Sequence, residues 1–199
     1  MLFQSLVGGV AGIIAFSAYV IYIIAVLKGT TTPSRATWFI WSVLGIIIGL
    51  SYFFSGARTT IWVPLGEVLG PLVIAILAIK YGEGGWTKLD RFCIFGSAIS
   101  LALWGISGSP IVGLLSSVTV DIIAAIPTIV KSYKRPDGED KLAWTMTFVA
   151  NFLNLFAIDR WVFAVLLYPI YSSIVDGTIT ALLYRRVRNT VRWLKNAVS

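Results

Sequence analysis

Fourteen of the sixteen Lys and Arg residues fall in alternate breaks between seven long apolar stretches or after the last of them. Lys28 and Arg35 lie in the first break, Lys80, Lys88 and Arg91 in the third, and Lys131, Lys134, Arg135 and Lys141 in the fifth. Arg185, Arg186, Arg188, Arg192 and Lys195 follow the last stretch. The second and sixth breaks hold only Arg58 and Arg160, and the fourth holds none. Lys and Arg flanking membrane spans stay on the cytoplasmic side. The alternation therefore predicts an all-α membrane protein with seven transmembrane helices, N-terminus outside and C-terminus in the cytoplasm. One helix more or fewer would scramble the pattern.

Composition agrees with lipid as the main solvent. The chain is 57% hydrophobic, its mean hydropathy is +0.85, and it contains no His. A soluble domain of 199 residues cannot hide that much apolar surface. The pI of about 9.7 does not imply nucleic acid, because the bases sit at helix ends and no polar domain carries them. The cluster from Arg185 to Arg192 more simply meets anionic lipid headgroups. Cys93 is the sole cysteine, so no intrachain disulfide forms. The first stretch begins Met1-Leu2-Phe3-Gln4, without a basic leader or a clear cleavage site, and reads as a permanent helix rather than a signal peptide. The lack of targeting features fits a multi-pass protein of a prokaryotic plasma membrane.

A span needs about twenty apolar residues. That requirement places helices at 5–27, 36–55, 60–80, 91–107, 110–131, 142–158 and 161–184. The breaks carry turn chemistry: Gly29 to Pro33, Tyr81-Gly-Glu-Gly-Gly, Gly105 to Pro110, and Arg135-Pro-Asp-Gly-Glu-Asp. Ser34 is placed to cap the second helix. Trp38, Trp62, Trp86, Trp144 and Trp161 lie near span ends, where indoles anchor in the interface.

The landmarks recur. Ile23-Ile-Ala-Val-Leu-Lys28 is matched by Ile126-Pro-Thr-Ile-Val-Lys131, each followed by a proline five residues on, Pro33 and Pro136. Each copy then reaches a base and a Trp, Arg35 to Trp38 and Lys141 to Trp144, the second with three extra residues near Gly138-Glu-Asp. A span, a turn holding Arg58 or Arg160, and Trp62 or Trp161 follow. Three helices thus match three, with the fourth as spacer. Three plus one is even, so both triplets enter from the same side and form parallel repeats about an axis along the membrane normal. The expected organisation is a first repeat over 1–85, a linker helix over 86–108, a second repeat over 109–184 and a basic cytoplasmic tail over 185–199.

On these features the chain resembles the PQ-loop and SWEET superfamily, over about residues 5–184. Pro127-Thr-Ile-Val-Lys131 is its most family-like segment. Members often carry Pro-Gln there; here Thr128 replaces Gln, and Ile24-Ala25 replaces the dipeptide in the first repeat. The resemblance implies alternating-access transport of a small polar solute, a sugar or an amino acid. Nicotinamide-riboside carriers share the three-one-three plan and make a vitamin or nucleoside carrier an alternative.

Few polar groups fall at membrane depth: Glu67, Asp121, Asn151, Asn154 and Asp176. A carboxyl there costs about 2.5–3.5 kcal/mol on insertion scales and so faces a bundle interior or water. Asp121 shares a helix face with Ser117 and lies six residues before Pro127, which frees a carbonyl and marks a hinge. Asp121 is read as a substrate-binding or proton-accepting group, against a merely hydrogen-bonded protonated Asp. Asn151 and Asn154 offer donors and acceptors from one face, against interhelical glue. Trp41 is deep enough to stack on a substrate. Glu67, within Pro64-Leu-Gly-Glu-Val-Leu-Gly-Pro71, and Asp176, which precedes Gly177, are gating or proton-coupling candidates with Asp121 and Pro127. Asp176 reaches Arg185 or Arg186 only at long range. Gly8-Gly-Val-Ala-Gly12 and the Gly45/Gly49 pair offer small-residue helix surfaces, for packing within the chain or for a homodimer.

Three function classes remain. A solute carrier requires a polar cavity between the triplets, with Asp121 and an Asn facing it. A non-transporting scaffold or receptor requires tightly packed triplets and no cavity. An enzyme is disfavoured: with no His and one Cys the usual base, thiolate pair and metal cluster are missing, and no cofactor or metal is implied.

Overall fold

The computed structural model describes residues 2–54, 62–85, 87–107, 110–158 and 163–185; for 47–54, 62–67, 104, 110–111, 113–114, 163–166 and 168 it describes the backbone alone. The described residues form seven α-helices, two 3-10 turns and no strand. The helices are α1 (Leu2–Leu27), α2 (Arg35–Phe54), α3 (Trp62–Tyr81), α4 (Lys88–Ser107), α5 (Pro110–Lys134), α6 (Lys141–Asn154) and α7 (Phe163–Tyr184). Leu2–Leu27, Lys88–Ser107 and Leu115–Lys134 are long and apolar enough to cross a membrane.

Local chemistry explains the helix starts. Ser34 accepts from the Thr37 amide at 3.4 Å and begins α2. Thr87 and Asp90 cap α4 reciprocally: the Asp90 amide donates to the Thr87 hydroxyl, and the Thr87 amide donates to the Asp90 carboxylate, each at 3.1 Å. Asp140 accepts from the Ala143 amide at 2.7 Å and begins α6. α6 is shorter than the span expected at 142–158: it closes at Asn154 into a 3-10 turn, Leu155–Ala157. The end of α3 is capped by a side chain, since Arg35 Nε donates to the Ala78 carbonyl at 3.0 Å and Nη1 to the Gly84 carbonyl at 2.6 Å.

The packing repeats in kind. α1 lies on α3 as α5 lies on α7; α2 lies on α3 as α6 lies on α7; α1 lies on α6 as α5 lies on α2. α4 stands apart from this scheme and packs on α5 and α2. Two glycines allow close approach of a neighbouring helix's aromatic ring. A Cβ on Gly70 would sit 2.7 Å from the Tyr19 ring, and one on Gly177 would sit 3.0 Å from Phe148.

The outer surface is apolar. On α1, Phe3, Leu6, Val10, Ile13, Val20 and Leu27 are exposed at helical spacing, and α4 exposes Phe92, Phe95, Ile99, Leu103 and Ile106. Contiguous stripes of this kind are unfavourable against water. The interior holds a cluster built on Tyr22, Trp38, Ile74, Trp144, Ile179 and Leu183. That cluster lies near the end of the molecule where Lys28, Lys80, Lys131 and Arg185 are found, called here the basic end. Arg58, Arg160 and the tail from Arg186 onward lie outside the described residues, as do the side chains of Trp62, Trp86 and Trp161.

Candidate functional site: a central cavity closed at the basic end

A cavity of about 590 Å³ lies among α1, α2, α5, α6 and α7, with Pro71 of α3 at its edge. α1 makes room for it. Gly8, Ala11, Gly12, Ala15 and Ala18 share a face by their spacing and all line the void. A Cβ on Gly12 would meet nothing within 4 Å. The small-residue stripe expected to serve helix contact therefore does so only in part, where Gly8 approaches Ala157. Its main effect is space.

Polar groups enter the wall from four helices. Ser117 and Asp121 of α5 line the cavity one turn apart. The Tyr171 hydroxyl of α7 donates to Asp121 Oδ2. Trp41 Nε1 of α2 donates to the Asp121 carbonyl at 3.3 Å. Asn151 of α6 donates from Nδ2 to Asp176 Oδ2 of α7 at 2.7 Å. Asn154 lies one turn beyond Asn151 on the same wall. Two carboxyls on different helices are thus each held by a neutral donor from a neighbouring helix.

The lining ends at the basic end in aromatic rings. Trp38 packs at ring-centroid distances of 4.9 Å from Tyr22, 5.2 Å from Trp41 and 6.5 Å from Trp144. Trp38 and Trp144 are only 3% and 4% exposed. Both were expected to be interface anchors; they face the axis of the bundle instead. The two matched landmarks of the repeats meet each other there. A Trp at a helix end reads the same in sequence whether it turns to lipid or inward.

Behind the rings lies a buried ionic layer. Trp38 Nε1 donates to the Tyr22 hydroxyl at 3.2 Å, which donates to Glu139 Oε2 at 2.7 Å. Trp144 Nε1 donates to the same oxygen at 2.9 Å. Glu139 Oε1 pairs with Lys131 Nζ at 2.5 Å, and the two side chains are 0% and 6% exposed. Lys131 also donates to the Thr32 carbonyl, and Arg135 pairs with Glu83. Backbone bonds join the same loops: the Thr32 amide donates to the Gly138 carbonyl at 3.0 Å, and the Glu83 amide to the Pro33 carbonyl at 2.9 Å. The three loops of the basic end are stitched into one cover.

Of the residues singled out from sequence, Trp41, Ser117, Asp121, Asn151, Asn154 and Asp176 all line this cavity. Asp176 bonds Asn151, while Arg185 donates to the Tyr133 carbonyl at 2.7 Å and so is occupied elsewhere. Pro127 is buried in α5, outside the lining, beside Thr128, whose hydroxyl donates to that of Thr37 at 2.9 Å. The side chain of Glu67 lies outside the described residues. Sequence reasoning missed Tyr171, Tyr22 and Glu139. Tyrosine is unremarked in an apolar run. Glu139, however, sits in the three-residue surplus of the second repeat, and an added acid beside a span-end lysine is a readable signal. Among the described residues no group of His, Cys, Asp and Glu could hold a metal. No family model, curated protein or solved structure matches this chain.

Proposed function

We propose that the chain is an integral membrane transporter for a small polar solute, working by alternating access between two three-helix repeats. The observation that carries this reading is the central cavity, which has Asp121, Asn151 and Asp176 in its wall and is shut at one end by stacked aromatic and ionic layers. A scaffold would have no use for a void of this size on its axis, which weighs against that alternative. The seven-span arrangement is supported by the one-sided bases and by the apolar stripes turned outward. The duplicated packing scheme, with α4 as the linker, supports parallel repeats. Both agree with a divergent relative of the PQ-loop and SWEET superfamily.

In this reading the basic end is the cytoplasmic gate, closed in the structure. Opening it requires the loops to part, Lys131 to leave the Thr32 carbonyl, Tyr22 to leave Glu139, and Trp38 to separate from Trp144. Pro127 lies one turn before Lys131 and supplies the hinge, because its ring removes a helical hydrogen bond. Asp121 is the proton-coupling candidate. The test is counterflow in proteoliposomes preloaded in separate batches with sugars, amino acids, nucleosides and amines, with and without a pH gradient. Saturable exchange of one class, reduced in Asp121→Asn, is the expected outcome. Exchange whose pH dependence is unchanged in Asp121→Asn removes Asp121 from coupling. No exchange of any class by folded protein overturns the carrier.

A further inference from the structure

The carrier reading leaves the solute open; the wall of the cavity narrows it. Many of its donors are spent on the protein itself. The indole N–H groups of Trp38, Trp41 and Trp144 point to Tyr22, the Asp121 carbonyl and Glu139. The Tyr171 hydroxyl goes to Asp121, and the Thr147 hydroxyl goes to the Ala143 carbonyl at 3.0 Å. Asn151 gives an amide hydrogen to Asp176. The charged residues in the described lining are Asp121 and Asp176, and neither Lys nor Arg joins them. What such a wall presents to a ligand is negative: carboxylate oxygens and aromatic rings whose N–H edges are already engaged. Ring faces attract cations through their quadrupole, and more strongly where water is excluded.

A carboxylate, a phosphate or an anionic sugar needs fixed positive charge, and the described lining offers only neutral donors such as the Asn151 and Asn154 amides. A neutral sugar needs donors and acceptors in balance. An ammonium group needs what is here. We infer that the cavity takes an organic cation, an amine or quaternary ammonium compound without a carboxylate, with its charge between Asp121, Asp176 and the aromatic floor of Trp38, Trp41 and Trp144. This rests on the cavity being a binding site, as proposed above, and it moves the expected cargo away from sugars and amino acids.

The test uses three probes of nearly one shape: choline, its uncharged carbon isostere 3,3-dimethyl-1-butanol, and betaine, which adds a carboxylate. Binding of labelled choline to the purified full chain is competed with each, and counterflow of choline and D-glucose is followed in parallel. Choline is expected to bind at least about tenfold more tightly than the neutral isostere, because only the cation is drawn to the ring faces and the carboxyl groups. Betaine should be the weaker competitor. Asp176→Asn and Trp41→Leu should each lower choline affinity several-fold while the protein stays monodisperse. Equal competition by the neutral isostere overturns the inference, as does choline affinity unchanged in both variants. Choline bound with no exchange of choline, glucose or any other class tested would sink the carrier and leave the cation site standing. Glucose exchanged without choline binding would do the reverse.

Discussion

Glu139 is the residue on which the closed end turns. Its carboxylate accepts from Tyr22 and Trp144 and pairs with Lys131, all out of water. A buried pair is a weak source of stability, but removing one partner leaves the other charge stranded and costs about 3–5 kcal/mol. Glu139→Leu should therefore lower the thermal midpoint markedly, and so should Lys131→Met. The double variant should recover much of the loss, because neither charge then remains. A double variant whose loss equals the sum of the two would deny that the residues act as a pair; thermal unfolding in detergent reads the difference. At this scale the sequence exposed one kind of residue well. Asp121, Asp176, Asn151 and Asn154 stand out because a polar group at membrane depth is rare and must face something polar. Tyr171 and Tyr22 did not stand out. Their hydroxyls are as important to the wall, but an aromatic ring fits lipid, protein or cavity equally, and only the fold says which.

Helices here approach through glycine in some places and leave space through glycine in others. The two uses predict opposite responses to the same substitution. On α3, Gly70→Ala drives a methyl to 2.7 Å from the Tyr19 ring, which is itself packed on Trp38. Overpacking of this kind costs about 1–3 kcal/mol. On α7, Gly177→Ala meets Phe148 at 3.0 Å and 3.2 Å, so a shift of a few tenths of an ångström relieves it at lower cost. On α1, Gly12→Ala enters open space and gains up to about 1 kcal/mol of helix propensity. Thermal midpoints should rise in the order Gly70→Ala, Gly177→Ala, Gly12→Ala. A Gly70→Ala protein as stable as the parent would mean that α1 and α3 are not held this closely. Helix bounds were largely legible, because apolar runs end where Gly, Pro and capping residues begin: α2 at Arg35–Phe54 against 36–55, and α5 at Pro110–Lys134 against 110–131. The exception is α6, whose apolar run continues to Ile158 although the helix stops at Asn154. Hydrophobicity does not distinguish an α-turn from the 3-10 turn that ends it.

For the whole molecule, the repeats and the closed end are two views of one arrangement. Landmarks matched along the chain, Trp38 with Trp144 and Pro33 with Pro136, come together in space: the Trp pair at 6.5 Å, and the loops bearing the prolines joined by the bond from the Thr32 amide to the Gly138 carbonyl. That meeting was not readable from order alone, since matched positions can lie equally well on opposite outer faces. It has a mechanical consequence under alternating access: the loops cannot part without breaking the Thr32–Gly138 contact. A Cβ on Gly138 would lie 3.6 Å from Thr32 Oγ1, the place a sulfur would take in Thr32→Cys. The two positions are close enough for a disulfide to be engineered between them after a small loop adjustment. Cys93, fully buried in the α2–α4–α5 cluster, stays out of the exchange. Oxidised Thr32→Cys/Gly138→Cys should hold the basic end shut, abolish counterflow and leave equilibrium binding from the opposite side intact. Reduction should restore transport. If fully cross-linked protein exchanges solute at the parental rate, the basic end is not the gate, and the path must run elsewhere through the bundle.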